Sequence, residues 1–179
     1  MWLAGLLACL VPRGAAAQHE RSGFWADLGA GFGVDVWDSE ASARGEVGLV
    51  WFARMGGTPT DRLLLGGELV NWSQGSANAR GQGLPTTTRT NVTTVALLFP
   101  RPNRRLFLKL GVGFAFAGQD SPVAGNFRGV GGSVGVGWQI TNRRRTLPVS
   151  VEATGQAYNE AGRSRQLGLL VVTIGWGWR

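Results

Sequence analysis

Residues 24–36 read FWADLGAGFGVDV, and every second residue of this stretch is apolar. Successive side chains of a β-strand point to opposite faces, so the alternation predicts a long strand with one wholly apolar face. Trp, Gly and Asp occupy the other face. The stretch 106–116, LFLKLGVGFAF, follows the same rule, with Lys109 and glycines opposite the apolar residues.

The same period of two recurs along the rest of the chain. It defines six further segments, at residues 44–53, 63–72, 87–99, 129–140, 147–156 and 170–178. Strands of roughly 10–14 residues exceed the ~5–6 typical of globular sheets and match the ~9–11 that a tilted strand needs to cross a bilayer. No helical period of useful length interrupts them. The sequence therefore predicts an all-β chain of eight strands.

The composition excludes several classes of protein. Hydrophobic residues make up 44% of the 179 residues, yet the mean hydropathy is +0.01, which argues against helical spans of about 20 apolar residues. A charged fraction of 16% argues against a disordered, highly charged chain. With one Cys and one His, the chain can build neither a disulfide framework nor a Cys/His metal site. We predict no cofactor and no metal.

The N-terminal segment predicts export. An apolar run from Trp2 to Val11 is too short to span a bilayer and is followed by Ala15-Ala16-Ala17, which fits the small-x-small rule for signal cleavage. We predict a signal peptide at residues 1–17 and a barrel domain at residues 18–179. Two alternatives remain: a lipoprotein signal ending at Cys9, and an ordinary buried segment of a soluble domain.

The alternation alone permits two kinds of barrel. The apolar side chains face the interior in one and the outside in the other. The polar face here is rich in glycine and carries few charges of mixed sign, unlike a water-exposed surface, and such residues suit the narrow lumen of an eight-stranded barrel. The expected lumen ion-pair candidates are Arg44, Glu46, Glu68, Arg89, Lys109 and Glu152. The sequence thus predicts an antiparallel up-and-down transmembrane β-barrel. A soluble periplasmic ligand-binding barrel with the faces exchanged is the alternative.

The connections between strands alternate in kind, as expected for a membrane barrel. Compact connections are predicted at Met55–Arg62, Pro100–Arg105 and Thr141–Thr146, which lie on the periplasmic side if the N-terminus does. The long connections 73–86 and 118–126 then face outwards.

Aromatic residues near the strand ends predict two belts at the bilayer interfaces, where Trp and Tyr are favoured. The belt expected at the periplasmic ends comprises Phe24, Trp51, Phe99, Trp138, Trp176 and Trp178. The belt expected at the outer ends comprises Trp37, Trp72, Phe116, Phe127 and Tyr158.

Over residues 22–178 the chain resembles the small eight-stranded outer-membrane barrels of the OmpA/OmpX type. Its last strand, Val172-x-Ile174-x-Trp176-x-Trp178, is similar to the C-terminal signal that the barrel assembly machinery recognises in that family. This chain departs from the pattern in that Arg179 follows the final aromatic residue. The resemblance implies a bacterial outer-membrane location and the barrel assembly machinery as a partner during biogenesis, more than it implies an activity.

The sequence argues against an enzyme. The only His is His19, two residues beyond the expected cleavage site, so a His-dependent hydrolase is not expected. Carboxylates such as Asp27 and Asp35 are better explained as lumen ion pairs. The glycine-rich stretches are not phosphate-binding loops, because no helix follows them.

The arginine clusters at 101–105 and 143–145 invite a nucleic-acid interpretation, but both lie in short turns and are better placed to contact lipid head-group phosphates. No nucleic acid partner is expected. At the outer end, the candidates for contact with lipopolysaccharide are Arg80, Arg128, Arg163 and Arg165. We therefore predict a non-enzymatic barrel with a structural or surface-interaction role through its outer loops, in contact with outer-membrane lipids. The alternative is a narrow pore for small molecules.

Overall fold

The chain folds into one closed β-barrel. The computed structural model describes residues 23–38, 46–74, 87–101, 105–119, 127–142, 145–160 and 163–178. The strands are β1 (Gly23–Asp38), β2 (Val47–Thr60), β3 (Leu63–Gln74), β4 (Thr87–Leu98), β5 (Leu106–Gln119), β6 (Phe127–Asn142), β7 (Arg145–Glu160) and β8 (Arg163–Trp178). Each strand pairs antiparallel with the next, and β1 pairs with β8. The prediction of an all-β, eight-stranded up-and-down barrel is confirmed. Among the residues described, no helix is long and apolar enough to cross a membrane.

The two ends of the barrel differ in their connections. The start of β1 and the end of β8 lie together, with Ala26 opposite Trp178. Residues 61–62, 99–105 and 143–144 join strands at this end, which we call the short-turn end. Residues 39–46, 75–86, 120–126 and 161–162 join strands at the opposite end, the loop end. The predicted long loops thus fall at one end, although their residues 75–86 and 120–126 lie outside the described part of the chain.

The apolar face of each strand lies on the outside of the barrel. On β5, Leu110, Val112 and Phe114 are 64%, 67% and 67% exposed, and the alternate residues Lys109 and Ala115 are buried. Water-soluble proteins rarely expose contiguous apolar patches larger than a few hundred Å², whereas this surface continues around all eight strands. The predicted assignment of the faces is confirmed. The alternative of a soluble barrel with the faces exchanged is wrong.

A β-bulge changes the parity of β1 near the loop end. The register between β1 and β8 shifts between Asp35 and Trp37. An extra residue in one strand reverses the side that the following side chains face, so Trp37 points outwards and is 51% exposed. Strict alternation would have placed it in the lumen with Asp35.

The predicted connection Met55–Arg62 is wrong in its extent. β2 continues through this segment to Thr60, with Met55 opposite Ala26 of β1 and Gly67 of β3. Only Asp61 and Arg62 form the turn to β3. The glycines in this stretch interrupt the apolar alternation without interrupting the backbone pairing.

Candidate functional site: the lumen and the membrane-facing surface

The centre of the lumen holds a network of buried charges. Lys109 lies between two carboxylates: its Nζ is 2.5 Å from Oε1 of Glu68, and it also donates to Oε2 of Glu152. Arg54 connects this group to a third carboxylate, because its Nε donates to Asp27 Oδ2 at 3.0 Å while its Nη1 lies 3.7 Å from Glu68. All five side chains are nearly inaccessible to solvent. Opposite charges this close offset the cost of burial, which is several kcal/mol for each unpaired ion.

Hydroxyl groups satisfy further oxygens of the network. Ser150 Oγ donates to Glu152 Oε1 at 2.8 Å and lies 2.8 Å from the hydroxyl of Thr173. Thr146 Oγ1 donates to the second oxygen of Asp27 at 3.2 Å. These contacts fix the carboxylates in place, which a pair of charges alone does not do.

Arg54 also contacts two aromatic rings, and so joins the charge network to the apolar side chains of the lumen. Its guanidinium carbon lies 4.8 Å from the ring centroid of Phe52 and 5.8 Å from that of Phe107. The sequence pattern alone does not identify Arg54 as a lumen residue, because the second alternating segment ends at Ala53. Its parity with Val50 and Phe52 was the available signal, since these residues face the lumen.

A second ion pair lies nearer the loop end. Arg89 Nη2 donates to Asp35 Oδ2 at 2.8 Å, and its guanidinium carbon stacks 4.8 Å from the ring centroid of Trp72. Trp72 Nε1 in turn donates to the backbone oxygen of Gly33 at 3.1 Å. Near the loop end, the lumen therefore contains one ion pair and one large aromatic ring.

The expected lumen residues have four different outcomes. Glu68, Lys109 and Glu152 meet in the central network, and Arg89 forms the separate pair with Asp35. Glu46 is half-buried just before β2, and its backbone oxygen accepts a hydrogen bond from the Asp35 N–H at 3.0 Å. Arg44 lies outside the described residues. Asp27 and Asp35, which the sequence indicates as members of lumen ion pairs, both pair with arginine.

Large side chains fill the lumen by lying against glycines. The Phe52 ring covers Gly29 and Gly175, and a Cβ added at Gly175 would lie 2.8 Å from Phe52 Cζ. The same argument places the Phe107 ring over Gly137 and Glu152 over Gly135. The lumen glycines therefore accommodate neighbouring side chains, as the sequence indicated.

An apolar layer closes the lumen at the short-turn end. Its six residues are each at most 1% exposed: Trp25, Leu64, Val95, Leu97, Phe99 and Phe107. The rings of Phe99 and Phe107 lie 5.8 Å apart and tilted by 48°. Trp25 Nε1 donates to the backbone oxygen of Gly57 at 3.0 Å, so the one polar group in the layer's aromatic rings is satisfied.

The predicted aromatic belts are partly wrong. Three of their members, Trp72, Phe99 and Tyr158, face the lumen and are buried. Trp51 faces outwards but lies nearer the loop end of β2, because that strand continues nine residues beyond it. The side chain of Phe127 lies outside the described residues. The remaining members are exposed on the outer surface: Phe24, Trp138, Trp176 and Trp178 near the short-turn end, and Trp37 and Phe116 near the loop end.

Of the four arginines expected to contact lipopolysaccharide, two have described side chains, and both lie near the loop end. Arg128 is exposed near the start of β6, and Arg165 is half-exposed near the start of β8. Arg80 and the side chain of Arg163 lie outside the described residues. Within the described strands and turns, no group of three or more His, Cys, Asp and Glu side chains is arranged to hold a metal ion.

Comparison with known proteins identifies the fold. No known family profile matches the chain, and neither does any curated relative. Neisserial surface protein A is similar in structure with a TM-score of 0.63 and 13% identity, over 88% of this chain and 97% of that one. The attachment invasion locus protein of Yersinia pestis, Ail, is similar in structure with a TM-score of 0.56 and 13% identity, over 88% of this chain and 99% of that one. The N-terminal β-barrel domain of Pseudomonas aeruginosa OprF is similar with a TM-score of 0.50 and 14% identity, over 88% of this chain and 99% of that domain. The chain therefore has the OmpA/OmpX-type fold of the small eight-stranded outer-membrane barrels.

Proposed function

We propose that the protein is a closed, non-enzymatic barrel of the bacterial outer membrane that anchors its loop-end connections at the cell surface. The observation that carries the proposal is the filled lumen. The central charges are paired with one another, and buried apolar side chains occupy the levels on either side of them.

The outer surface supports the membrane location. A transmembrane barrel exposes apolar residues to lipid and keeps its polar residues in the lumen, which is the distribution in this chain. Export by the segment 1–17 and recognition of β8 by the barrel assembly machinery belong to the same proposal.

The filled lumen also argues against catalysis inside the barrel. Lys109, Glu68 and Glu152 are engaged with one another, and the apolar layer separates them from the short-turn end. A substrate would have to displace packed side chains to reach them. We assign the surface-interaction role to the connections 75–86 and 120–126. Arg128 and Arg165, near the loop-end starts of β6 and β8, are available to meet lipopolysaccharide phosphates.

Planar-bilayer recording tests the closed barrel. We expect the purified, refolded protein to insert without discrete channel openings. The double variant Phe99→Ala/Phe107→Ala opens the apolar layer and serves as the comparison, with folding verified by the gel shift on boiling. Reproducible openings of the wild-type protein would overturn the proposal.

A narrow conduit is the second candidate, because polar side chains continue between the two ion-pair groups. Gln156 Nε2 donates to Asn91 Oδ1 at 2.8 Å, and Thr93 and Thr154 are buried nearby on the same strands. The same recording decides between the candidates, since the wild-type protein, with its apolar layer intact, gives discrete openings only if it is a conduit.

A further inference from the structure

Among the described residues, positive charge is concentrated at the short-turn end. The described positions of the segments 61–62, 99–105 and 143–145 hold four arginines, at 62, 101, 105 and 145, and one aspartate. The described positions of the loop-end segments 38–46, 120–128 and 160–165 hold three arginines and three acidic residues, so their formal charges cancel. The net charge of the whole chain is +7. In the described part of the chain, the short-turn rim of the barrel is therefore basic and the loop end is balanced.

An apolar pocket lies on the outer surface beside this basic rim. Its volume is about 220 Å³, and it is lined by Pro100, Arg101, Leu106 and Trp138. Leu106 and Trp138 are register partners on β5 and β6, and both face outwards, 37% and 48% exposed. At ~30 Å³ per water-sized group, the pocket holds about seven such groups, which is part of one acyl chain and not a whole lipid.

Backbone hydrogen bonds hold the strand ends on either side of the pocket. The Phe99 N–H donates to the backbone oxygen of Arg62 at 2.7 Å, and the Gln139 N–H donates to that of Arg105 at 2.8 Å. These bonds continue the strand pairing beyond the end of β4 and before the start of β5. Arg105, whose backbone is held in this way, and Arg101, two residues beyond Phe99, are both exposed at this end of the barrel.

We propose that this pocket and its arginines form a binding site for an anionic diacyl phospholipid of the periplasmic leaflet. The upper part of one acyl chain lies against Leu106 and Trp138, and Arg101 binds the phosphate. An arginine fork matches phosphate oxygens, and a Trp ring suits the boundary between head group and hydrocarbon.

The charge of the rim selects an anionic over a zwitterionic head group. Each arginine close to an anionic lipid surface contributes enough attraction to change the association constant roughly fivefold. Arg145 extends this surface on the next turn, since its guanidinium carbon lies 5.6 Å from the ring centroid of Trp176. Lipopolysaccharide would meet the charge-balanced loop end, so it is not the occupant that this rim favours.

Fluorescence quenching by brominated lipids tests the site. The full barrel is reconstituted in phosphatidylcholine vesicles containing a fixed fraction of a phospholipid brominated on the upper acyl chain, with either a phosphatidylglycerol or a phosphatidylcholine head group. The difference between wild type and Trp138→Phe isolates the signal of Trp138. We expect stronger quenching of that signal by the phosphatidylglycerol. Arg101→Gln lowers this preference roughly fivefold, and the matched loop-end variant Arg128→Gln leaves it unchanged.

Each outcome separates this site from the proposed function on which it rests. Equal quenching of Trp138 by the two head groups, or an unchanged preference in Arg101→Gln, overturns the phospholipid site and leaves the membrane barrel intact. Absence of quenching by any brominated lipid overturns the membrane location and the site with it. Displacement of the brominated phosphatidylglycerol by a smaller fraction of lipopolysaccharide would show that the site belongs to that lipid instead.

Discussion

Replacing Lys109 with methionine tests whether the central network stabilises the barrel. Lys109 is 1% exposed and is shared by Glu68 and Glu152, so methionine leaves two buried carboxylates without their common cation. Removing one partner of a buried ion pair costs about 3–5 kcal/mol. Arg54 still lies 3.7 Å from Glu68, and Ser150 still donates to Glu152. We therefore expect a loss near the lower end, about 3 kcal/mol in the free energy of unfolding.

The loss is measured by urea titration of the folded barrel in lipid vesicles. Folded protein is followed by tryptophan fluorescence and by migration without boiling, in the unfolding and refolding directions, so that a two-state equilibrium is established. At about 1.4 kcal/mol for each factor of ten, Lys109→Met should lower the folding equilibrium constant on the order of 100-fold.

Two further variants distinguish lost pairing from a general effect of substitution. Adding Glu152→Gln to Lys109→Met removes one of the two stranded charges and should recover part of the loss. Arg128→Met removes an exposed charge from β6 and should change the unfolding free energy by no more than about 0.5 kcal/mol. A urea midpoint for Lys109→Met equal to that of wild type, or a double variant less stable than the single, would refute the reasoning.

Three other substitutions follow from contacts in the structure. Gly137→Ala places a methyl group against the Phe107 ring and should lower the unfolding free energy by about 1–3 kcal/mol. Gly155→Ala places its methyl group in open space outside the barrel and should be tolerated. Urea titration of the two variants compares their unfolding free energies. Phe107→Ala should cost about 3–5 kcal/mol, because it empties part of the apolar layer, and a loss below 1 kcal/mol by the same titration would contradict the packing described. Arg145→Gln removes the exposed stacking on Trp176 and should cost only about 0.5–1 kcal/mol, so a larger loss in thermal unfolding would require a contact beyond that ring.

Much of the fold could be predicted because one physical rule acts along the whole chain. Bilayer on one side and a narrow lumen on the other impose the same alternation on every strand, and residues 24–36 and 106–116 display it without interruption. The extent of β2 could not be predicted in the same way. Gly56 and Gly57 carry no side chain to mark a face, although their backbones remain paired with β1 and β3.

The errors in the aromatic belts have a different cause. Trp72, Phe99 and Tyr158 lie near strand ends, which favours the belts, but each has the odd or even position of the residues that face the lumen on its strand. Trp72 shares parity with Glu68, and Tyr158 shares it with Glu152. Trp37 is the opposite case. Its odd position predicts a lumen side chain, like that of Asp35, but the bulge after Asp35 turns the side chain outwards. The pairing of particular charges also had to come from the structure, since it depends on the cross-barrel register.

The high glycine content is explained by the large side chains that fill the lumen. Eight strands enclose a cross-section that side chains nearly fill, so a large ring from one strand needs a partner strand without a Cβ. Phe52, Trp72 and Phe107 each lie against such glycines, and Asn91 and Glu152 do the same with their polar side chains. A water-filled pore needs small residues without these large partners. The glycines of this barrel therefore argue for a packed interior, because they leave the space that large side chains of other strands occupy.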